Sequence, residues 1–392
     1  MPITHFSFND NKENWHLEEI SFDKLNLLVG VSGVGKTKIL KALELACRVA
    51  TGGDYKLNGE DWKIGFKYAD HEYEWTLKSA LIKSKFSSFA PSEFAIISSE
   101  EIVKDQNIKL LTRRETESGC LLNNEKVPRF KNTESAINIL SEVKPMRPIY
   151  EALKRVIFYD IWQQKHFAYR LNPAENHAKP PAPFDKFKEE STQIPTVVKA
   201  YRLQQRYPDE FDKIKQVFTE IFSSVEDIKV NITKTKEAGG VYEFSFILKE
   251  KTSQKWITQW EMSSGMFRTL VHLVEIYLAP LGTVIVIDEL ENGLGTNCMP
   301  GLTDFLLNKT SHLQLLLSSH HPYIINHIHD KTWKLVTRKG GQVSVINGTD
   351  IPQLQTESST DKFIQLTHLP EYKNAILRTE NGTFVVGDLS PQ

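Results

Sequence analysis

Residues 3–8 and 17–22 alternate apolar with polar positions at the period of two expected of strands. Leu25, Leu27, Leu28 and Val29 form the denser apolar run of a buried strand. From Ile39 the period lengthens. Ile39, Leu40, Leu43, Leu45, Ala46 and Val49 recur at helical spacing until Thr51-Gly52-Gly53, which predicts a helix over residues 35–50. Alternation returns over 62–68 and 73–77 around Asp70-His71, as in an antiparallel pair. Further strands are expected over 94–97, 119–122 and 156–162, and helices over 135–143 and 149–156. Helical periodicity resumes over 196–207 and 210–222, followed by strands over 228–232, 242–248 and 256–260 and a helix over 269–277. Two continuous apolar runs, 284–287 and 314–317, have the character of parallel strands buried on both faces. Short strands over 334–336, 342–346 and 383–386 close the chain.

This pattern predicts an α/β fold with a β-rich flank and a helical insertion lobe. At 392 residues, the length suggests two or three lobes, since domains average about 150 residues. The expected boundaries are an N-terminal half of the main domain over 1–80, a mostly helical lobe over 81–215, a C-terminal half over 216–330 and a small β-rich segment over 331–392. A stretch with Pro173, Pro180, Pro181 and Pro183 has the composition of a surface loop. No internal repeat and no sustained heptad interrupts the scheme.

The chemistry concentrates where the first buried strand meets the first helix. Gly30, Gly33, Gly35, Lys36 and Thr37 spell G-x-x-x-x-G-K-T between that strand and helix. Backbone N–H groups of such a loop, including those of Ser32, Val34 and Lys38, curl around an anion, and the helix N-terminus adds its positive end. A nucleoside triphosphate suits this cradle. Lys36 would reach the β- and γ-phosphates, and the Thr37 hydroxyl would ligate Mg²⁺.

Three later stations complete it. Ser263, Ser264 and Gly265 open the helix expected at 269–277, either as a plain serine N-cap or as a second phosphate-binding end. Asp288 and Glu289 close the 284–287 strand, where ligands bind in parallel sheets, placing Asp288 to hold Mg²⁺ and Glu289 to act as general base. His320 follows the 314–317 strand, and two readings stand there: a hydrogen-bond donor to a γ-phosphate, or, with His327 and His329, a zinc ligand.

Composition changes this picture little. A net charge of −1 gives no global attraction to nucleic acid, so any such contact would be local, with small basic clusters at 109–114 and 126–131. Three cysteines without a C-x-x-C pair argue for a reducing, cytoplasmic setting. The first fifteen residues lack a basic and apolar leader, and no run of 18 apolar residues occurs, so neither export nor membrane spanning is expected.

In order and spacing these stations resemble the ABC-type ATPase heads of the SMC, RecF and OLD-like class of AAA-family proteins, over roughly residues 1–80 and 215–330. The resemblance implies a P-loop NTPase head that binds ATP and Mg²⁺. Residues 30–37 would be its Walker A loop, Ser263-Ser264-Gly265 its signature, 284–289 its Walker B strand, 291–294 its D-loop and His320 its switch histidine. Met266 and Ser32 stand where such heads usually carry glutamine and asparagine. Gln106 is the candidate for the metal-contacting Q-loop glutamine, with Gln163 and Gln164 as others. The same resemblance implies a homodimer or higher oligomer through ATP-sandwiched heads, in which Ser263 of one subunit meets the phosphate held by another. Relatives often act with a nuclease; the chain beyond His320 contains no D-x-D, so a separate effector protein is expected. ATPase subunits of bacterial anti-phage systems (Septu, PARIS and retron-associated) are the relatives this suggests. A DNA-binding repair ATPase is the alternative.

Overall fold

The computed structural model describes residues 2–83, 93–114, 119–128, 130–158, 168–170, 183–234, 241–309, 312–354, 362–373 and 376–377. In chain order the strands and helices begin with β1 (Ile3–Asp10), β2 (Trp15–Ser21), β3 (Leu25–Val29), α1 (Lys36–Thr51), β4 (Glu60–Tyr68), β5 (His71–Lys83), β6 (Glu93–Lys104), β7 (Ile108–Arg114), β8 (Cys120–Leu122) and β9 (Glu125–Val127). Next come α2 (Ala136–Ile139), α3 (Arg147–Lys154), β10 (Val156–Phe158), β11 (Ala168–Arg170), α4 (Phe184–Ser191), α5 (Thr196–Arg206), α6 (Pro208–Ile221), β12 (Val225–Lys234), β13 (Val241–Glu250) and β14 (Trp256–Thr258). The remainder comprises α7 (Ser264–Leu278), β15 (Val284–Ile287), α8 (Met299–Lys309), β16 (Gln314–Ser318), α9 (Pro322–His327), β17 (Trp333–Lys339), β18 (Gln342–Asn347), α10 (Lys362–His368), α11 (Pro370–Lys373) and β19 (Ile376–Leu377).

The chain divides into two compact units, one made of residues 1–158, 282–289 and 314–392 and the other of 159–281 and 290–313. The first holds a sheet ordered β10-β15-β16-β3-β17-β18-β2-β1-β4-β5-β6-β7-β8-β9, with β19 pairing with β17. Its β10-β15-β16-β3-β17 section is parallel. From β2 to β9 every pairing is antiparallel. Continuous apolar strands belong to the parallel part: Val284 to Ile287 and Leu315 to Leu317 are all buried. Helix α1 lays Ile39, Leu43, Ala46 and Ala50 into a core shared with Phe6, Trp62, Trp75 and Ile149. Gln314, at the start of β16, accepts from the Ile3 amide at 2.7 Å and donates to the Ile3 and Asp23 carbonyls, both at 2.8 Å. One side chain thus bonds backbone groups of two segments, at Ile3 and Asp23.

The boundaries expected from sequence differ from this arrangement in two places. The stretch from 81 is not the start of a helical lobe: β5 runs on to Lys83, and β6 to β9 continue the meander of the first unit. These strands carry many Ser, Thr and charged residues on their open face, which masks their alternation. Helices do dominate 184–221. The segment from 331 is likewise no appended finish, because β17 pairs in parallel with β3 at the centre of the main sheet. Over 135–143 only Ala136–Ile139 is α-helical, capped by the Ser135 hydroxyl. Gln163, Gln164, the strand expected over 383–386 and most of the proline-rich stretch lie outside the described residues.

In the second unit, β11, β13 and β12 form a sheet with β14 beside β13. Phe244 and Phe246 turn inward, Tyr201 on α5 meeting Phe244 and Phe267 on α7 meeting Phe246 edge-on. A buried Lys199–Glu275 pair at 2.6 Å, joined by the Thr196 hydroxyl, ties α5 to α7.

The first unit has its own buried ion pair. Glu100 is fully buried and accepts from Trp75 Nε1 (3.2 Å), Ser135 Oγ (2.5 Å), the Ala136 amide (2.9 Å) and Arg113 Nη1 (3.4 Å). Burial pushes its pKa up, against the pull of those donors and of Arg113. Arg113 also donates to the Lys131 and Glu134 carbonyls. Glu100→Ala leaves a buried guanidinium without its counter-charge, and urea unfolding should show a loss of about 3–5 kcal/mol. A loss below about 1 kcal/mol, the worth of an exposed pair, would contradict this.

Candidate functional site

At the end of β3 the backbone turns through Gly30 (φ 147°), Gly33 (φ 87°) and Gly35 (φ 112°) before α1 begins. These angles are left-handed or strained for a residue with a Cβ. At Gly30 there is also no room, since a Cβ would lie 2.7 Å from the Val336 carbonyl of β17. Gly35 sits at the N-cap of α1, where it offers no side chain to the first-turn amides, and that turn carries no acid. An anion at this helix end meets N–H groups and a positive dipole without a competing carboxylate. Lys36 arches back over the loop, donating to the Gly30 carbonyl at 2.7 Å and the Val31 carbonyl at 3.2 Å. Ser32 and Gly33 are exposed at the loop's crest.

The side chains of two residues expected at the cradle lie elsewhere. Val34 is fully buried in the core beside α1. Lys38 turns aside to Asp10 (3.2 Å) and Glu13 (2.5 Å), with its ammonium 4.8 Å from the centre of the Trp15 ring.

The parallel strands bring the second set of groups to the same sheet edge. Asp288 and Glu289 follow β15 and are both exposed. Ser318, the last residue of β16, is fully buried; its hydroxyl donates to Asp288 Oδ1 at 2.5 Å and accepts from the Glu289 amide at 2.8 Å. Glu289 adopts a left-handed φ of 48°. Ser318 thereby fixes the carboxylate of one acidic residue and the backbone of the other. The sequence signal for it was a polar residue closing an otherwise apolar strand.

His320 is exposed just past β16. The neighbouring histidines have local duties. His321 accepts from the Tyr323 amide at the start of α9, His329 accepts from the Lys331 amide, and His327 stacks on Tyr323 with ring centres 4.8 Å apart. Among the described residues no group of three His, Cys, Asp or Glu side chains is placed to hold a metal ion.

Gln106 falls away from this site. Asp10, which meets Lys38 of α1, pairs with Glu60, and Asp61 pairs with Lys78, so those strand ends share the P-loop edge. The opposite ends, Ile3, Phe66, Tyr73 and Lys104, pair near the start of β16. Gln106, in the turn after Lys104, stands at that far edge and reaches Glu72. The basic cluster at 109–114 is also partly structural, with Lys109 paired to Glu101 and Arg113 buried on Glu100.

The signature segment belongs to the second unit. Ser263 is the N-cap of α7, its Oγ accepting from the Met266 amide at 3.2 Å. Ser264 donates to the Gly293 carbonyl at 3.3 Å, and Arg268, 5% exposed, donates to the Asn292 carbonyl. A Cβ on Gly265 would stand 3.0 Å from the Gly295 amide nitrogen. Residues 263–268 and 291–295 therefore form one block, which the sequence showed only as two separate motifs. On the same helix, His272 is buried and its pKa is pushed down to about 3 by desolvation and by Arg268. It is held neutral there.

A glycine loop on a helix N-terminus, with a lysine at the loop and a serine-held aspartate at the end of a parallel strand one removed from it, defines a P-loop nucleotide-binding domain. Residues 25–326 match the family described as AAA domain, putative AbiEii toxin, type IV TA system, and the chain belongs to that family. No curated protein matches it. Among solved structures it is similar to an SMC head bound to the C-terminal winged-helix domain of ScpA, at 13% identity and a TM-score of 0.47, covering 88% of this chain and 97% of that one. It is also similar to the SMC head domain from Thermotoga maritima, at 10% identity and a TM-score of 0.41, covering 88% of this chain and 99% of that one. Among the described residues no helix is long and apolar enough to cross a membrane.

The family implies ATP with Mg²⁺, and the residues fit it: an acid-free helix end, a loop lysine, the Thr37 hydroxyl and the held Asp288. Ser318→Ala removes the group that holds Asp288. Loss of a group that orients a metal-holding carboxylate costs about 10- to 100-fold in metal affinity or activity, and the Mg²⁺ concentration for half-maximal ATP hydrolysis should rise accordingly. An unchanged Mg²⁺ dependence would remove Ser318 from the site.

Proposed function

We propose that this protein binds and hydrolyses ATP, and that ATP joins two copies of it through their head surfaces. The observation that carries this reading is the convergence of Lys36, Thr37, Ser318-held Asp288 and Glu289 on one edge of a parallel sheet. The loop amides and Lys36 bind the phosphates, while Thr37 and Asp288 would hold Mg²⁺, which would supply positive charge against the phosphate oxygens. Glu289 accepts the proton of the attacking water, and His320 hydrogen-bonds the γ-phosphate end. Ser263, Ser264 and Gly265 act in trans. Because the Ser263 oxygen accepts from Met266, its own O–H hydrogen is a separate donor for a partner-bound γ-phosphate.

The wider role we propose is regulation of a separate effector, a nuclease or toxin, within a bacterial anti-phage system. The family's description, which names a putative toxin of a type IV toxin–antitoxin system, supports a defence setting over a repair ATPase working on DNA, while the separate effector rests on the resemblance alone.

Glu289→Gln keeps the size of the side chain but cannot take a proton. Hydrolysis should fall by about 10² to 10⁴, the usual worth of a general base, with ATP still bound. Light scattering of this variant should show the dimer mass with ATP and the monomer mass without it. A monomer under both conditions would refute the head dimer, and normal turnover would refute the assignment of Glu289.

A further inference from the structure

The hydrolytic groups all lie on one flank of the P-loop. In the strand order β15-β16-β3-β17, Asp288, Glu289, Ser318 and His320 follow β15 and β16, to one side of β3. On the other side β17 pairs with β3 through Leu335 and Val29, then runs on past the start of the loop. Its Val336 carbonyl is the atom that forces Gly30 to be glycine. Val336 belongs to the core that α1 covers, and Arg338, two positions later, projects from the same face. The guanidinium donates through Nε to the Gly340 carbonyl at 2.7 Å, and Nη1 stands 3.5 Å from the Gly33 carbonyl of the P-loop itself. This β17–β18 turn is itself braced, because Gly341 accepts from the His16 amide at 2.9 Å. A permanent cation is therefore held at the loop's outer rim by a residue beyond the family-matched 25–326.

We propose that Arg338 is a nucleotide-binding residue that contacts the α-phosphate end. This rests on the nucleotide-binding reading above. A nucleotide whose γ-phosphate lies toward Asp288 and Ser318 has its α-phosphate and nucleoside on the β17 side, where Arg338 holds its guanidinium against the Gly33 carbonyl. Guanidinium is suited to this place, since it stays charged and offers a fork of donors that can exchange carbonyl partners for phosphate oxygens. Contact at the α-phosphate end serves ADP and ATP equally, which distinguishes it from a contact made at the γ end.

The test is calorimetric titration of the full chain with ADP and with ATP, for wild type, Arg338→Ala and Arg338→Gln. A charge-assisted contact is worth about ten- to a hundredfold in affinity, so both variants should lose at least tenfold for both nucleotides. The melting temperature of the nucleotide-free protein should move by less than about 2 °C, which separates lost binding from lost folding. Glutamine keeps an uncharged N–H for the Gly340 carbonyl, the shorter of the two contacts. If Arg338→Gln binds as wild type while Arg338→Ala does not, the side chain only props the loop and the proposal fails. It fails equally if both variants bind normally, or if ATP alone is lost, which would put the arginine at the γ end. Wild-type protein that binds neither nucleotide is a separate result and overturns the nucleotide-binding reading itself.

Discussion

Parallel pairing of β15, β16, β3 and β17 is the constraint on which the site depends. Parallel strands end at one edge, and each of these four delivers a different group there: Asp288 with Glu289, Ser318, the glycine loop with Lys36, and Arg338. The strands are buried on both faces, so a slip of one residue would exchange those faces and undo the close packing of each. The close approach of Val336 to Gly30 shows how tightly the array is drawn together. A side chain at Gly30 would push β17 away from β3 and open the loop on the flank where Arg338 sits. The phosphate cradle and the sheet packing are thus one feature.

The second unit solves a similar problem by different means. Its signature and D-loop segments contain little apolar surface, so backbone carbonyls and small residues hold them together. Arg268 and Ser264 occupy the Asn292 and Gly293 carbonyls, and glycine at 265 leaves the space that a Cβ, 3.0 Å from the Gly295 nitrogen, would crowd. Burial keeps His272 neutral beneath this block, while the Lys199–Glu275 pair anchors the same helix to α5. A helix start fixed this way presents its N-terminal hydroxyls with little conformational entropy left to lose.

Much of the site was legible in the sequence because its chemistry is carried by short contiguous runs. The glycine loop, the Asp288-Glu289 pair and the Ser263 cap each follow from local pattern, and the strands and helices around them stand where periodicity put them. The parts that could not be read are those that depend on non-local pairing. Ser318 and Arg338 matter because of which strands lie beside β3, and that order is set by contacts more than a hundred residues apart in the chain. Lys38 has the composition of a phosphate ligand, yet Asp10, Glu13 and Trp15 claim it. Gln106 had the right side chain at the wrong end of the sheet. Over 93–127 the apolar stretches 94–97 and 119–122 read as strands, but the charged and hydroxyl-bearing remainder of β6, and β7 and β9, did not, and Glu100, a fully buried carboxylate among them, has no signature that separates it from a surface glutamate.

The central claim is that the Gly30–Thr37 loop binds nucleotide through α1's N-terminus and Lys36. Titration of the Lys36→Ala protein with ATP tests it most directly. Removing Lys36 leaves the phosphates to N–H dipoles worth about 0.3–1 kcal/mol each at a helix end. The account predicts one saturable ATP site per wild-type chain and none measurable in Lys36→Ala at millimolar ATP. Equal affinity in the two proteins would contradict it.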